Sequence, residues 1–576
     1  MIDKKEFLDI VASLDGAPGE QLVKLVGDFD FSRYVAKVGK PDLKAGELPV
    51  TLRVPQIIAG FPEDIYDTPV RRMALEDYLA RNFADSVEDL SDFDSYGVAH
   101  KNICIAIPGH KILPRTSLTV QEEFIEAHVR VRIPLKYDQI DAGELEAIFF
   151  NELQEAVSNS LLFCNLDYDE LTSFLNVMED AGRIRQLLTS QGLISFIGEG
   201  SIIRRDTYTD EPDFLQPDLM IDADLKTEME VPNAGEVAGL GVKDGITLII
   251  GDSYSGRSEL LRAMASGIYN HVPGDGREFT ASMADTVMLC EEPGRSVQKV
   301  DISAFVKAEN EAFSEFSSGC ATGFESEAAA LVESIEAGAR TFLFDEDTSS
   351  SAFLSAGGRV KSLIGADSVQ TISLAERARQ LVDELGVAIV VAGIKNVCDF
   401  IPIADTILLV EDYRVRDITD EAKELGIEAV EVDDFGFGFQ QLADRCRWVV
   451  PSSIDPSCGK DDRRIEAYDA HLLEFGRYMI ELDAIDQIAD TYQTRTIGQV
   501  LYHLKVRYLA EARTVGSLLD YVDEDLSTEG LACLSPEKRG DMARPRRYEI
   551  AAAINRLPSI RIARVTDGGD FTDDID

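Results

Sequence analysis

The sequence predicts an α/β protein, a largely parallel sheet covered by helices, flanked by an N-terminal α+β domain and a mostly helical C-terminal domain. Three observations carry that prediction. Compact apolar runs (ITLIIG, ARTFLFDED, VAIVVAG, ADTILLVED) alternate with helical segments such as SELLRAMASGIY and SLAERARQLVDELG. Buried strands alternating with helices build parallel sheets, because each crossover returns the chain over a sheet face. The first run empties into a glycine-bounded turn, Gly251 to Gly256, and the second ends in two acids, Asp345 and Glu346.

Bulk composition limits the function classes. The chain has 576 residues, 45% of them apolar, so several packed cores are expected. Its 104 acidic residues outnumber 56 Lys and Arg, a formal charge of −48. Such a field repels nucleic acid and anionic membrane, and binding either requires a local basic patch. No stretch reaches the roughly 18 apolar residues of a membrane span. The start, MIDKKEFLDIVASLDG, places charges where a signal peptide needs its apolar region, so a cytoplasmic location is expected. Eight scattered cysteines without a CxxC pair read as reduced, mostly buried thiols. Six dispersed histidines lack HExxH spacing, so no transition-metal site is expected.

Three zones and a tail follow along the chain. Residues 1–165 mix strand-like runs, NICIAIPG and HVRVRIPL, with the helical stretch AGELEAIFFNELQEAVSNSLLF, an α+β pattern. Residues 166–450 begin with a helical connector, YDELTSFLNVMEDAGRIRQLLTSQG, and then hold the strand–helix alternation. Residues 460–565 read mainly as helix, through IEAYDAHLLEFGRYMIELDAIDQIADTY and RTIGQVLYHLKVRYLAEA. Residues 566–576 form an acidic tail.

The chemistry concentrates in ITLIIGDSYSGRSELL. A glycine-bounded loop between a strand and a helix wraps successive amides around phosphate, and the helix start adds positive partial charge. Ser258 supplies the hydroxyl for magnesium, whereas Arg257 stands where such loops carry Lys. Beside such a loop, Asp345 is placed to hold magnesium through water and Glu346 to orient or deprotonate the attacking water.

The segment GIYNHVPGDGREF resembles the block that follows the P-loop in the family of predicted ABC-class ATPases. GRSVQKVDISAF, FSSGCATGFESEAAALVESIEAGA, FLFDEDTS, GDMARPRRYEIAAAINRL, RMALEDYLARNF and LPRTSLTV extend the resemblance over nearly the whole chain. It implies an ABC-type P-loop NTPase core and ATP with Mg as cofactors. The phosphate loop would then comprise Gly251, Asp252, Ser253, Tyr254, Ser255, Gly256, Arg257, Ser258 and Glu259, with Ser258 and Asp345 on the metal and Glu346 as catalytic base. Thr322 and Gly323 fall where the family has the Ser-Gly of its signature, which contacts nucleotide held by the opposite subunit, so a head-to-tail homodimer is implied. Tyr269 to Arg277 match a block that is either a packed turn or a contact to the site. Gln298, in the GRSVQ segment, is either a Q-loop glutamine or, the favoured reading, a surface residue.

Departures cluster on the phosphate side. The family loop runs close to GGGYHGKSTLL; here Arg257 replaces Lys, and Asp252 and Glu259 add acids. A guanidinium is larger and more directional than an ammonium, and a carboxylate beside phosphate repels it. Phe324, Glu325 and Glu327 alter the signature, and VAGIKNVCDF offers no γ-phosphate-sensing His. Three functions remain open: an ATPase whose closing dimer moves its flanking domains, a non-hydrolysing interaction protein, and an RNA- or DNA-binding ATPase. The last draws on Arg544, Arg546, Arg547, Arg556, Arg561 and Arg564.

Overall fold

The computed structural model describes residues 2–90, 92–93, 99–206, 209–307, 311–355, 370–427, 438–439, 446–460, 462–535, 539–565 and 571–572. Most of the acidic tail lies outside the described residues. The chain folds as two compact units, residues 1–179 with 535–544, and residues 180–534 with 545–576.

The first unit is built on a mixed sheet. Its strand order is Ile2–Asp3, Gly27–Asp30, Val35–Val38, Glu47–Pro55, Phe124–Arg132 and Ile103–Ile105. Strict alternation along Glu47–Pro55 sends Leu48, Val50, Leu52 and Val54 inward. Phe7, Phe29, Phe31 and Phe149 pack ring against ring beneath it. AGELEAIFFNELQEAVSNSLLF is helical as expected, and a π-turn at Ile148–Glu152 joins Ala142–Ala147 to Leu153–Ser160. Residues 540–544 return late in the chain to this unit, where Thr116 and Met542 exchange hydrogen bonds. Gly540 is required at that approach, because a Cβ there would lie 2.4 Å from the Cβ of His128.

The second unit carries the predicted parallel sheet. Its order is Met220–Ile221, Arg414–Asp417, Thr406–Glu411, Ile246–Ile250, Ala388–Gly393, Thr341–Asp345 and Thr286–Leu289. The last five pair in parallel, and the Arg414–Asp417 strand runs antiparallel to its Thr406–Glu411 neighbour. All four apolar runs named in the sequence are therefore adjacent strands. Thr341–Asp345 and Ala388–Gly393 are buried at every position, as expected of strands covered on both faces. A second, antiparallel sheet joins Lys226–Val231, Gly235–Lys243, Leu193–Gly198 and Thr280–Ser282.

Two expectations need correction. The stretch IEAYDAHLLEFGRYMIELDAIDQIADTY is no helix before Thr491. It forms an antiparallel meander, Ile465–Ala467, Leu472–Phe475 and Tyr478–Glu481. Leu473, Phe475, Ile480 and Leu482 point inward with period two, and Gly476 (φ +65°) turns the chain where a Cβ would meet Asp455 O at 2.4 Å. Helix starts only at Thr491, capped by the Asp490 side chain on the amides of Tyr492 and Gln493. The cysteines, expected to be mostly buried, are not. Cys164, Cys320, Cys398 and Cys446 are exposed and the other four half-buried, because several sit on turns and loop ends. All eight are free thiols.

Candidate nucleotide site

The site begins where the Ile246–Ile250 strand ends. Gly251 lies so close to its surroundings that a Cβ would approach Ser255 Oγ and the Val410 carbonyl to 2.5 Å. Tyr254 takes a left-handed φ of +66°, which turns its ring out to 88% exposure. Gly256 (φ +100°) then opens the Arg257–Ser266 helix, with the ring of Tyr413 2.8 Å from where its Cβ would be. No side chain caps this helix. Its first amides and its dipole are therefore directed at the loop, the arrangement that holds an anion.

Arg257 is almost entirely buried. Its Nη1 donates to the Gly251 carbonyl (3.3 Å) and its Nη2 to Asp347 Oδ2 (2.9 Å), while Asp345 Oδ1 lies 3.9 Å from Nη2. Parallel pairing aligns Thr341–Asp345 with Ala388–Gly393, which in turn pairs with Ile246–Ile250, so the acids emerge at the same end of the sheet as the loop. Asp345 is fully buried and accepts from the Asp347 amide (3.2 Å). Burial pushes its carboxyl up, against the opposing pull of that amide, the facing Ser258 hydroxyl and Arg257. Three buried polar atoms at this point, Ser255 Oγ, Arg257 Nε and Asp345 Oδ2, have no partner at hydrogen-bonding geometry.

Glu346 faces the following strand. Its carboxylate accepts from the amides of Ile394 (2.5 Å), Lys395 (2.9 Å) and Asn396 (2.9 Å), just past the Ala388–Gly393 strand. Asp252 likewise spends a carboxylate oxygen on a loop amide, that of Ser253 (2.7 Å).

Thr322 caps the Gly323–Glu336 helix, and Glu325 closes a capping box on it. The carboxylate of Glu291 lies over Gly323, so that a Cβ there would stand 2.1 Å from Glu291 Oε2. The signature departures acquire physical roles in this arrangement. Phe324 packs edge-on against Phe353, Glu325 satisfies the helix start, and Glu327, wholly buried, accepts from the Ser350 amide (2.7 Å).

Three family models match successive parts of the chain. The P-loop domain model of ABC ATPases covers residues 167–435, the N-terminal model for ATPases of the ABC class covers 5–164, and the MRB1590 C-terminal domain model covers 464–563. The chain belongs to the ABC class of ATPases. The uncharacterized protein MJ1628 of Methanocaldococcus jannaschii is 26% identical over 261 residues, 42% of this chain and 56% of that protein. The matched region thus spans little more than half of that relative. Among solved structures, cbiO1 from Clostridium perfringens, part of the ABC transporter complex cbiONQ, aligns at 13% identity and a TM-score of 0.25. That alignment covers 41% of this chain and 91% of cbiO1. MJ1267, an ATP-binding cassette of an ABC transporter in its ADP conformation, aligns at 12% identity and a TM-score of 0.22, over 33% and 87% of the two chains.

Other residues singled out in this ABC-class chain serve packing. In the Tyr269–Arg277 block, Tyr269, Asn270, His271, Asp275 and Arg277 are all buried. His271 Nδ1 meets Asp275 Oδ2 at 2.7 Å, and Arg205 grips the same carboxylate through both nitrogens. Burial would raise the Asp275 carboxyl, but His271 and Arg205 outweigh it and draw it down to about 2. The block is a packed turn. Gln298 is half-buried on the Val297–Val300 strand, and its carbonyl accepts from Arg447.

Three of the six arginines are held in ion pairs. Arg546 binds Glu549 and the carbonyls of Ala284 and Thr286; Arg547 binds Asp520 and Asp523; Arg556 binds Glu292 through two nitrogens. Arg561 donates to Ser452 Oγ, the Arg544 amide to the Pro114 carbonyl, and the Arg564 side chain lies outside the described residues. Asp347, which the sequence reading passed over, is the residue brought onto the loop. Its position two places beyond Asp345 was the only signal, and it was one acid among three in succession. Among the described residues no His, Cys, Asp and Glu cluster forms a metal site, and no helix is long and apolar enough to cross a membrane.

Proposed function

We propose that the loop Gly251–Ser258 binds the phosphates of Mg-ATP and that this ABC-class protein works as a head-to-tail homodimer closing on nucleotide, with binding outpacing hydrolysis. One observation carries the reading: an uncapped helix start and a buried, unpartnered carboxylate oxygen, Asp345 Oδ2, meet at a single loop. The residues present fit the ligand. The amides that open the Arg257–Ser266 helix would take phosphate oxygens, and Ser258 with Asp345 would hold the magnesium ion. When bound, that ion neutralises charge developing on the transferred phosphoryl group. The protein's own part is to orient the phosphates through amides and Arg257, and to hold the buried Asp345 at the same end of the sheet as the loop.

A second reading, a non-hydrolysing switch, draws on Glu346. A base must be free to take a proton from water. This carboxylate is committed to three amides at 2.5–2.9 Å. It would have to leave them before it activated anything.

Calorimetric titration with Mg-ATP tests the shared claim; saturable binding to the wild type or to Arg257→Lys is expected, and no heat from either ends it. Phosphate release compared with Glu346→Gln separates the two readings. A higher rate in the wild type supports turnover, and equal background rates in both support the switch.

A further inference from the structure

We infer that Asp347 is an affinity-setting latch: it holds the Arg257 guanidinium across the loop, and phosphate must displace it to bind. The inference rests on the nucleotide reading above and names the residue that competes with the ligand.

The guanidinium is pinned on two sides. Nη1 is bound to the Gly251 carbonyl, the first residue of the loop, and Nη2 to Asp347 Oδ2 at 2.9 Å. Asp345, the nearer acid by sequence to a metal role, stays 3.9 Å from Nη2. Arg257 is therefore paired outward rather than inward. The two partners differ in setting, with the Arg257 side chain 7% exposed and that of Asp347 69% exposed. The acid sits at the mouth, where an incoming anion arrives first.

Asp347 is held there by its backbone. Its amide donates to Asp345 Oδ1 (3.2 Å), and the amides of Thr348 and Ser349 both donate to the Asp345 carbonyl at 3.0 Å. This tight turn fixes the backbone from which the Asp347 side chain projects. A guanidinium has fixed, planar donor directions, so the Nη2 hydrogen held by Asp347 is withheld from a phosphate oxygen as long as the pair lasts. A lysine ammonium with rotatable donors would share more easily. Arg257 and Asp347 thus act as a pair: the substitution that weakens the loop also creates the contact that closes it.

An exposed-to-buried ion pair of this kind is modest in strength, so its removal corresponds to about a 3- to 10-fold change in affinity. The full chain is titrated calorimetrically with Mg-ATP as wild type, Asp347→Asn, Arg257→Ala and the double variant, with thermal midpoints recorded for each. Expected is a gain of about 3- to 10-fold for Asp347→Asn at an unchanged midpoint, and a clearly smaller gain when Arg257 is already Ala. Equal gains with and without Arg257 would reduce Asp347 to a repelling charge and overturn the latch, as would no gain at all. Absence of binding in all four proteins would instead remove the nucleotide reading itself.

Discussion

Glu327 shows how one buried atom sets a measurable pH response. Its carboxyl is fully buried on the Gly323–Glu336 helix, with Oε2 on the Ser350 amide and Oε1 without a partner at bonding geometry. Burial pushes it up to about 8, Glu291 adds to the rise, and the Ser350 amide and Ser349 hydroxyl oppose it. The folded state therefore keeps a proton that the unfolded state gives up near its ordinary value of 4.5. Between those two values the native form binds more protons, so stability falls as pH rises, and below 4.5 the effect vanishes. Glu327→Gln keeps the acceptor for Ser350 and removes the proton. We expect urea midpoints to show the wild type losing up to about 1.4 kcal/mol per pH unit relative to the variant across that window. Parallel pH profiles would show that Glu327 is ionised in the fold. Glu346 accepts from the amides of residues 394–396, in the place where the sequence offered no sensing histidine.

At the scale of elements, two helix starts have opposite fittings. The Arg257–Ser266 helix leaves its amides free behind Gly256, whereas the Gly323–Glu336 helix is closed by Thr322 and Glu325 and overlaid by Glu291. Gly256→Ala places a Cβ at φ +100° and 2.8 Å from the Tyr413 ring. A cost of about 1–3 kcal/mol in stability is expected, with loss of Mg-ATP binding, read by thermal melt and calorimetry. Binding that survives at wild-type strength would mean that the loop tolerates another shape. Thr322→Ala removes one half of a reciprocal cap and should lower stability by about 1 kcal/mol in urea. The Ile465–Glu481 meander belongs to the same scale. Its alternation was present in the sequence, but apolar residues also recur there at helical spacing, and only the turn at Gly476 against Asp455 selects the strand.

For the whole molecule, charge is organised rather than uniform. A chain of −48 still concentrates arginines near its end, yet each of Arg546, Arg547 and Arg556 is matched by acids of the same unit. Arg556 ties the Arg547–Arg556 helix to Glu292, next to the Gly323–Glu336 helix, through a pair that is mostly buried. Arg556→Ala removes the nearer of the two arginines on Glu292 and leaves Arg295 at 3.7 Å, so a loss of about 1–3 kcal/mol is expected in denaturant unfolding. A change within about 0.5 kcal/mol would mark the pair as dispensable. The proposed homodimer is tested with Glu346→Gln, the variant suited to trapping a closed state. Sedimentation should show mass doubling on addition of Mg-ATP, and a monomer at every concentration would count against a nucleotide-closed dimer.

The α/β class, the strand that feeds the Gly251–Gly256 loop and the strand that ends in Asp345 are all legible along the chain, because local hydrophobic period and glycine punctuation are properties of sequence neighbours. The sequence also marked Arg257 and the altered signature as departures. Tertiary structure alone decided what those departures do: Arg257 reaches Asp347 across 90 residues, Glu346 meets the amides of residues 394–396, and the terminal arginines find their acids. Each of these partnerships depends on a fixed distance between segments far apart in the chain. Charge and spacing in one dimension cannot specify that distance; the packed sheet does.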